Sequence, residues 1–248
     1  MVRSEQVVHV AEKLAASTRV AVLTGAGISA ESGLATFRDP DGLWQKFKPQ
    51  ELANIDAFLA NPELVQLWYQ SRRMAATEAS PNSAHFALVE LESQSESFTL
   101  VTQNVDGLHE RAGSKDIVEL HGNILRNYCI DCGEQAQLDF EATDLACCTA
   151  CGGLIRPDVV WFGEQLPQLA IRRAYDVAAE AEVFISIGTS AEVHPAADLP
   201  LAARRAGAFV VEININETVL TPYVDVLLSG RAGDVVPKIV EQLIEVRA

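Results

Sequence analysis

Four cysteines fall in two C-x-x-C pairs, Cys129 with Cys132 and Cys148 with Cys151, separated by fifteen residues. Two such pairs can close a tetrahedral thiolate shell around Zn²⁺. A fifth cysteine, Cys147, adjoins Cys148, so either could supply the third thiolate; the repeated C-x-x-C spacing favours Cys148. Just ahead, Val118-Glu119-Leu120-His121-Gly122 places an imidazole at the end of an expected strand. A group that titrates near neutrality suits general-base work, although on its own His121 reads as a capped strand-end histidine. Near the start, Thr24-Gly25-Ala26-Gly27-Ile28-Ser29-Ala30-Glu31-Ser32-Gly33 follows an apolar run and leads into helical spacing. Glycines there permit a tight turn and close backbone approach, and a helix N-terminus offers unpaired N–H groups to a diphosphate. Gly33 lies six residues past Gly27, not three, and no acidic residue closes the second strand, so the hydride-transfer fingerprint is missing. The polar and aromatic continuation Thr36-Phe37-Arg38-Asp39 suits a cofactor consumed in a closed pocket.

These groups need a scaffold, and the apolar pattern supplies one. Strands are expected at Arg19–Thr24, Phe98–Thr102, Ile117–Leu120, Val183–Ile187, Ala208–Ile213 and Val224–Leu228, and helices at Glu5–Ala16, Pro167–Ala181, Pro195–Ala206 and Gly233–Val246. Short apolar runs alternating with helices predict a Rossmann-like α/β fold, a parallel sheet with helices on both faces. Two stretches break the alternation and predict a smaller zinc-ribbon and helical domain. The large lobe is then 1–38, 82–125 and 158–248, and the small lobe is 39–81 with 126–157. The cleft between them is the expected ligand site.

Composition narrows the partners. Hydrophobic residues make up 48% of the 248, enough for a packed core. Nineteen basic against 34 acidic residues give a net charge of -15, which disfavours duplex nucleic acid. No apolar run approaches a membrane span and the first ten residues lack a signal core, which points to the cytoplasm. Paired cysteines fit a reducing compartment. The oligomeric state stays open, a monomer included.

Taken in order, Gly25-Ala26-Gly27-Ile28-Ser29 through Phe37-Arg38, Gln103-Asn104-Val105-Asp106, Leu120-His121-Gly122, the cysteine pairs, Pro157-Asp158-Val159-Val160-Trp161-Phe162-Gly163-Glu164 and Gly188-Thr189-Ser190 resemble the sirtuins, NAD-dependent protein-lysine deacylases. The resemblance spans about Thr24 to Ala232. It implies that NAD is a cosubstrate: the acyl oxygen of a modified lysine attacks the nicotinamide ribose, nicotinamide leaves, and water finally releases free lysine and O-acyl-ADP-ribose. It implies His121 as the base acting on a ribose hydroxyl, with Asn104 beside it. Gln103 and Asn104 would hold the ribose, and Asp106 the nicotinamide carboxamide; a helix-capping turn at Asn104–Gly107 is compatible with both. Gly25 to Ser29, Glu31, Thr36, Phe37, Arg38, Trp44, Val105, Gly188, Thr189, Ser190, Asn214, Ile215, Asn216 and Ala232 complete the implied cofactor contacts. Val159 to Gly163 resembles a strand that pairs with the substrate peptide, its aromatic pair walling the acyl-lysine tunnel, with Glu192 and Val193 alongside. The implied zinc is structural.

One insertion carries a finer resemblance. Tyr69 and Arg72 match the Tyr-x-x-Arg pair, and Ala57 the small residue, of the sirtuin branch that removes succinyl and malonyl groups. Residues i and i+3 share a helix face, and a guanidinium grips a carboxylate bidentately while a phenol adds one bond. The competing readings are a plain deacetylase with a merely structural Tyr69 and Arg72, a protein mono-ADP-ribosyltransferase, a nicotinamide dehydrogenase and a non-enzymatic zinc-ribbon module.

Overall fold

The computed structural model describes residues 4–34, 52–138 and 145–248. Thr36, Phe37, Arg38 and Trp44 therefore lie outside the described residues. Six strands, β1 (Arg19–Thr24), β2 (Ser97–Thr102), β3 (Ile117–Glu119), β6 (Val183–Ile187), β7 (Phe209–Asn214) and β8 (Val226–Ser229), form one parallel sheet in the order β3-β2-β1-β6-β7-β8. All six predicted strands are present, to within two residues at each end.

Strand periodicity of two assigns the faces. Val20 and Val22 of β1 point into one core with Ile185 and Ile187 of β6 and Val211 and Ile213 of β7. Helices α1 (Ser4–Ala15), α5 (Ser83–Gln94) and α9 (Ala232–Arg247) cover that side through residues such as Leu14, Leu88 and Val235. Ala21, Leu23, Phe184 and Val210 point the other way, under α7 (Gln168–Glu180) and α8 (Leu199–Arg205). The predicted helix over 195–206 is in fact a 3₁₀ turn, Ala196–Asp198, running into α8.

Chain order reverses beside β1, which makes the carboxyl ends of β1 and β6 the switch point where open α/β sheets bind ligands. The backbone is unusually close there. Gly25 N–H donates to the Ile187 carbonyl at 3.0 Å and Gly27 N–H to the Gly188 carbonyl at 2.9 Å. A Cβ on Gly27 would sit 2.7 Å from the Gly188 Cα, and Gly188 has φ 62°. Both positions thus require glycine, one for space and one for conformation. The turn enters only a four-residue helix, α2 (Ala26–Ser29), before a 3₁₀ turn at Ala30–Ser32.

A two-stranded antiparallel ribbon, β4 (Gly122–Cys129) and β5 (Ile155–Val159), leaves the sheet. The expected lobe boundaries at 125/126 and 157/158 fall inside these two strands. Helices α3 (Ile55–Ala60) and α4 (Pro62–Glu78) pack on the ribbon, so Phe58, Val65, Tyr69 and Ala76 share a core with Ile124, Val159 and Trp161. Asn54 and Asn61 cap the two helices. Buried Arg73 locks α4 to β4, donating from Nε to the Ile124 carbonyl at 3.0 Å and from Nη2 to Asn127 Oδ1 at 2.6 Å.

The segment Val159 to Gly163, expected to pair with a substrate peptide, is a strand only at its first residue. Strand β5 stops at Val159 and the next residues turn. Glu164 explains why: its carboxylate accepts from Trp161 N–H at 2.7 Å and takes both arms of the buried Arg156 guanidinium, at 2.5 and 2.9 Å, while Gly163 adopts φ 87°. The side chain folds back on its own segment and closes a turn.

Gly188→Ala is expected to cost about 1–3 kcal/mol, combining overpacking with a left-handed φ. Urea unfolding measures it, and an unchanged midpoint would contradict the close apposition.

Candidate active site

The loop after β2 carries most of the expected chemistry. His121 Nδ1 lies 2.9 Å from the Gln103 carbonyl. A carbonyl can only accept, so the neutral ring carries its proton on Nδ1 and keeps a lone pair on Nε2. Burial lowers the His121 pKa, with the Gln103 bond acting the other way. The ring is therefore neutral and ready to accept a proton at pH 7.

Asn104 is held by its Nδ2, which donates to the Gly25 carbonyl and to Ser29 Oγ, both at 3.1 Å, leaving Oδ1 as an acceptor. Ser29 Oγ in turn donates to Asp106 Oδ2 at 2.8 Å. The other oxygen of Asp106 accepts from Leu108 N–H at 2.9 Å, at the start of the short helix α6 (Leu108–Ala112), whose N-cap residue is Gly107. Burial raises the Asp106 pKa against both hydrogen bonds. The Val105 carbonyl accepts from Ile124 N–H at 2.8 Å, tying the loop to the ribbon.

Across the switch point, Thr189 is buried and its carbonyl accepts from Asn214 Nδ2 at 2.6 Å. Ser190 is half-buried, Ile215 and Asn216 are exposed, and Ala232 is buried at the start of α9. Glu31 faces that same helix, accepting from Gly233 N–H at 2.7 Å. The donor set along this edge (backbone at glycines, neutral amides, hydroxyls) fits a dinucleotide. Gln103, Asn104, Asp106, Ser29 and His121 converge around the β1 and β2 ends, and Gly188, Thr189 and Asn214 line the β6 and β7 ends.

The ribbon brings the acyl-pocket candidates to the same place. Val160 N–H donates to the His121 carbonyl at 3.0 Å, and Phe162 N–H to the Ala53 carbonyl at 2.9 Å. Between them Trp161 is buried and donates from Nε1 to the Tyr69 hydroxyl at 2.8 Å. Arg72, half-buried, stacks over Trp68 at 4.8 Å and over Tyr69 at 5.7 Å. Ala57 is half-buried on α3, while Phe162, Gly163, Glu192 and Val193 are exposed.

Sequence reasoning missed three contributors. Arg156 stacks 3.5 Å from the Trp161 ring centroid and fixes Glu164, and nothing in Ile155-Arg156-Pro157 marks it out. His85 and His109 form a buried ring pair, centroids 4.8 Å apart, beneath the β1 and β2 ends. For His85 a signal existed: Asn82 and His85 have N-cap and N3 spacing, and they do form a capping box.

The four paired cysteines place all their sulfur atoms within 4.8 Å of one another, with Cys129 3.5 Å from Cys151 and Cys132 3.7 Å from Cys148. Zinc–sulfur bonds of about 2.3 Å in a tetrahedron need sulfurs about 3.8 Å apart. The cluster fits that ion and selects Cys148 over exposed Cys147, whose backbone bridges Leu154. Four thiolates leave no position for water, so such an ion would be structural.

The Sir2 family profile matches residues 25–195. This chain belongs to the Sir2 family. The NAD-dependent protein deacylase 2 of Pyrobaculum aerophilum is 50% identical over 236 residues, 95% of each chain. An NAD-dependent protein deacylase of Thermus thermophilus is 51% identical over 235 residues, 93% of this chain and 92% of its own. Among solved structures, a mutant Sir2 homologue in complex with ADP-ribose superposes with TM-score 0.93 at 44% identity, covering 96% of this chain and 97% of that one. A Sir2 complex with a p53 peptide and NAD⁺ reaches TM-score 0.85 at 35% identity, covering 93% and 95%. The Sir2 fold thus accounts for the sheet and the cysteine-bearing ribbon together. Among the described residues of this Sir2 chain, no helix is long and apolar enough to cross a membrane.

Cys148→Ser should abolish zinc retention and Cys147→Ser should leave it intact, as read by metal analysis of purified protein; the reverse pattern would reject the ligand set. A second expectation concerns pH. Burial lowers the pKa of His85 to about 4, and burial together with His85 lowers that of His109 to about 3, both from 6.5. The unfolded chain binds these protons near 6.5 and the folded chain does not, so stability is full above that value and drains as pH falls toward 4. The slope is roughly 1.4 kcal/mol per pH unit for each histidine. A melting temperature that stays flat between pH 7 and 5 would contradict the neutral pair.

Proposed function

We propose that this chain is an NAD-dependent protein-lysine deacylase that favours acyl groups ending in a carboxylate, succinyl and malonyl, over acetyl. The deacylase reading rests on family membership, on the names of relatives about half identical to it, and on the convergence of His121, Asn104 and Asp106. A bound peptide in a Sir2 neighbour supports modified-lysine segments of proteins as substrates. The net charge of -15 tolerates basic, lysine-bearing segments and repels nucleic acid.

The acyl preference rests on one observation. Tyr69 is buried, and its oxygen already accepts the Trp161 indole N–H. The phenolic proton is consequently the group's remaining donor, one helical turn from Arg72. Burial raises the Tyr69 pKa, so that proton stays on. Burial also works against the charge on Arg72, while the nearby Tyr69 favours it. A carboxylate arriving between phenol and guanidinium would receive a neutral and a charged hydrogen bond. An acetyl group would offer neither.

NAD supplies the leaving nicotinamide and the acceptor ribose. The chain's own residues hold the reaction. Asn104 presents Oδ1 beside the glycine turn, and His121 offers Nε2 as base toward a ribose hydroxyl, its ring oriented by Gln103. The Trp161 wall separates the acyl chain from solvent.

Arg72→Met should weaken desuccinylation of a peptide by roughly 1.5–3 kcal/mol in kcat/KM, the scale of a lost charged hydrogen bond, and deacetylation far less. Parallel assays with succinyl- and acetyl-lysine peptides, following nicotinamide release and free lysine by mass spectrometry, measure it. Equal losses would favour a plain deacetylase. Adenylate retained on protein would favour ADP-ribosyl transfer.

A further inference from the structure

Beneath the site lies a set of hydrogen bonds that converge on the Thr102 hydroxyl from two sides. Asn82 N–H donates to His85 Nδ1 at 3.3 Å, which leaves the neutral His85 ring protonated on Nε2. Thr24 Oγ1 donates to Thr102 Oγ1 at 2.9 Å, so its contact with His109 Nε2, also 2.9 Å, requires the N–H on the histidine. His109 then carries its lone pair on Nδ1. Each histidine leaves one buried ring nitrogen without a hydrogen-bond partner, His85 Nε2, a donor, and His109 Nδ1, an acceptor. They are complementary and belong to rings 4.8 Å apart.

The second side reaches the chemistry. Thr102 Oγ1 also accepts Asn104 N–H at 3.0 Å, so both its lone pairs are filled. That N–H belongs to the Gln103–Asn104 peptide, whose carbonyl holds His121 Nδ1. A peptide unit is planar, so fixing its N–H end fixes the direction of its C=O end. The same peptide also sets where the Asn104 side chain begins.

We propose that His109, supported by His85, is a positioning residue: through the Thr24–Thr102 hydroxyl pair it orients the Gln103–Asn104 peptide, and with it the His121 ring and the Asn104 amide. Its consequence for turnover rests on the deacylase reading; its consequence for the peptide does not. Neither histidine touches substrate in this scheme, and both act only as neutral rings.

The test compares His109→Leu, His109→Gln and Thr24→Val with the wild type, each first checked for a cooperative thermal melt. Leucine removes the hydrogen bond, glutamine can remake it, and valine cuts the relay one step on at nearly unchanged shape. Hydrogen exchange at the Asn104 amide should quicken about tenfold in His109→Leu and Thr24→Val, the scale of one lost hydrogen bond, while Leu100 N–H in β2 keeps its rate. In turnover of an acyl-lysine peptide, kcat should fall about tenfold with the KM for NAD little changed. Glutamine should restore most of both readouts, and Thr24→Val with His109→Leu should lose no more than either alone. Should His109→Leu fail to fold, Thr24→Val makes the same comparison. Wild-type exchange at Asn104 in the leucine and valine variants, glutamine as damaging as leucine, or additive losses would overturn the relay. A wild type that releases no nicotinamide would sink the deacylase reading, and the exchange comparison would still decide the relay.

Discussion

Everything in this site is measured from one backbone contact, the apposition of Gly27 and Gly188 across the carboxyl ends of β1 and β6. The Gly27 N–H reaches the Gly188 carbonyl at 2.9 Å, and neither residue has room or dihedral freedom for a side chain. This contact fixes the glycine turn to the strand ends at the switch point of the sheet. The Gly25 carbonyl and Ser29 hydroxyl on that turn hold Asn104, and the turn's far end meets α9 through Glu31. A looser turn would shift each of these groups together, because they share the same few ångströms of main chain.

The second constraint is the shared core of the small lobe. Two segments far apart in sequence, 52–78 and 122–164, bury one apolar cluster around Phe58, Tyr69, Ile124 and Trp161. Polar contacts give that cluster a definite orientation. Arg156 and Glu164 clamp the turn that carries Trp161, and Trp161 reaches Tyr69, so the position of the phenol depends on a guanidinium outside the acyl pair. Val160 joins the same turn to the residue proposed as the base. The proposed acyl and ribose ends of the site are therefore linked through the backbone of that turn.

Several features are legible in the chain itself. Mostly apolar strands rich in β-branched residues, such as Arg19–Thr24 and Val183–Ile187, end where they are expected to, because glycine and polar residues cut them off. The cysteine spacing specifies the metal cluster, since two C-x-x-C turns converge on one point by local geometry. The segment after Val159 is not a strand, although it carries the apolar, β-branched pattern that a strand shows. A single carboxylate, Glu164, turned back onto Trp161 N–H and Arg156 overrides it. That choice depends on a partner eight residues away, which periodicity does not register.

By itself, then, the order of residues determined the sheet, its glycine turn, the thiolate set up to the choice between Cys147 and Cys148, and the identity of the imidazole and amides proposed to do chemistry. These follow from local rules: side-chain period, turn conformation and ligand spacing. Only the tertiary structure decided which protons those groups carry. The Nδ1 proton of His121 follows from the Gln103 carbonyl, the free proton of Tyr69 from the Trp161 indole, and the neutral state of His85 and His109 from burial between β-strand ends and α5. Protonation depends on desolvation and on hydrogen-bond partners brought from distant segments, and neither is a property of a residue's neighbours along the chain.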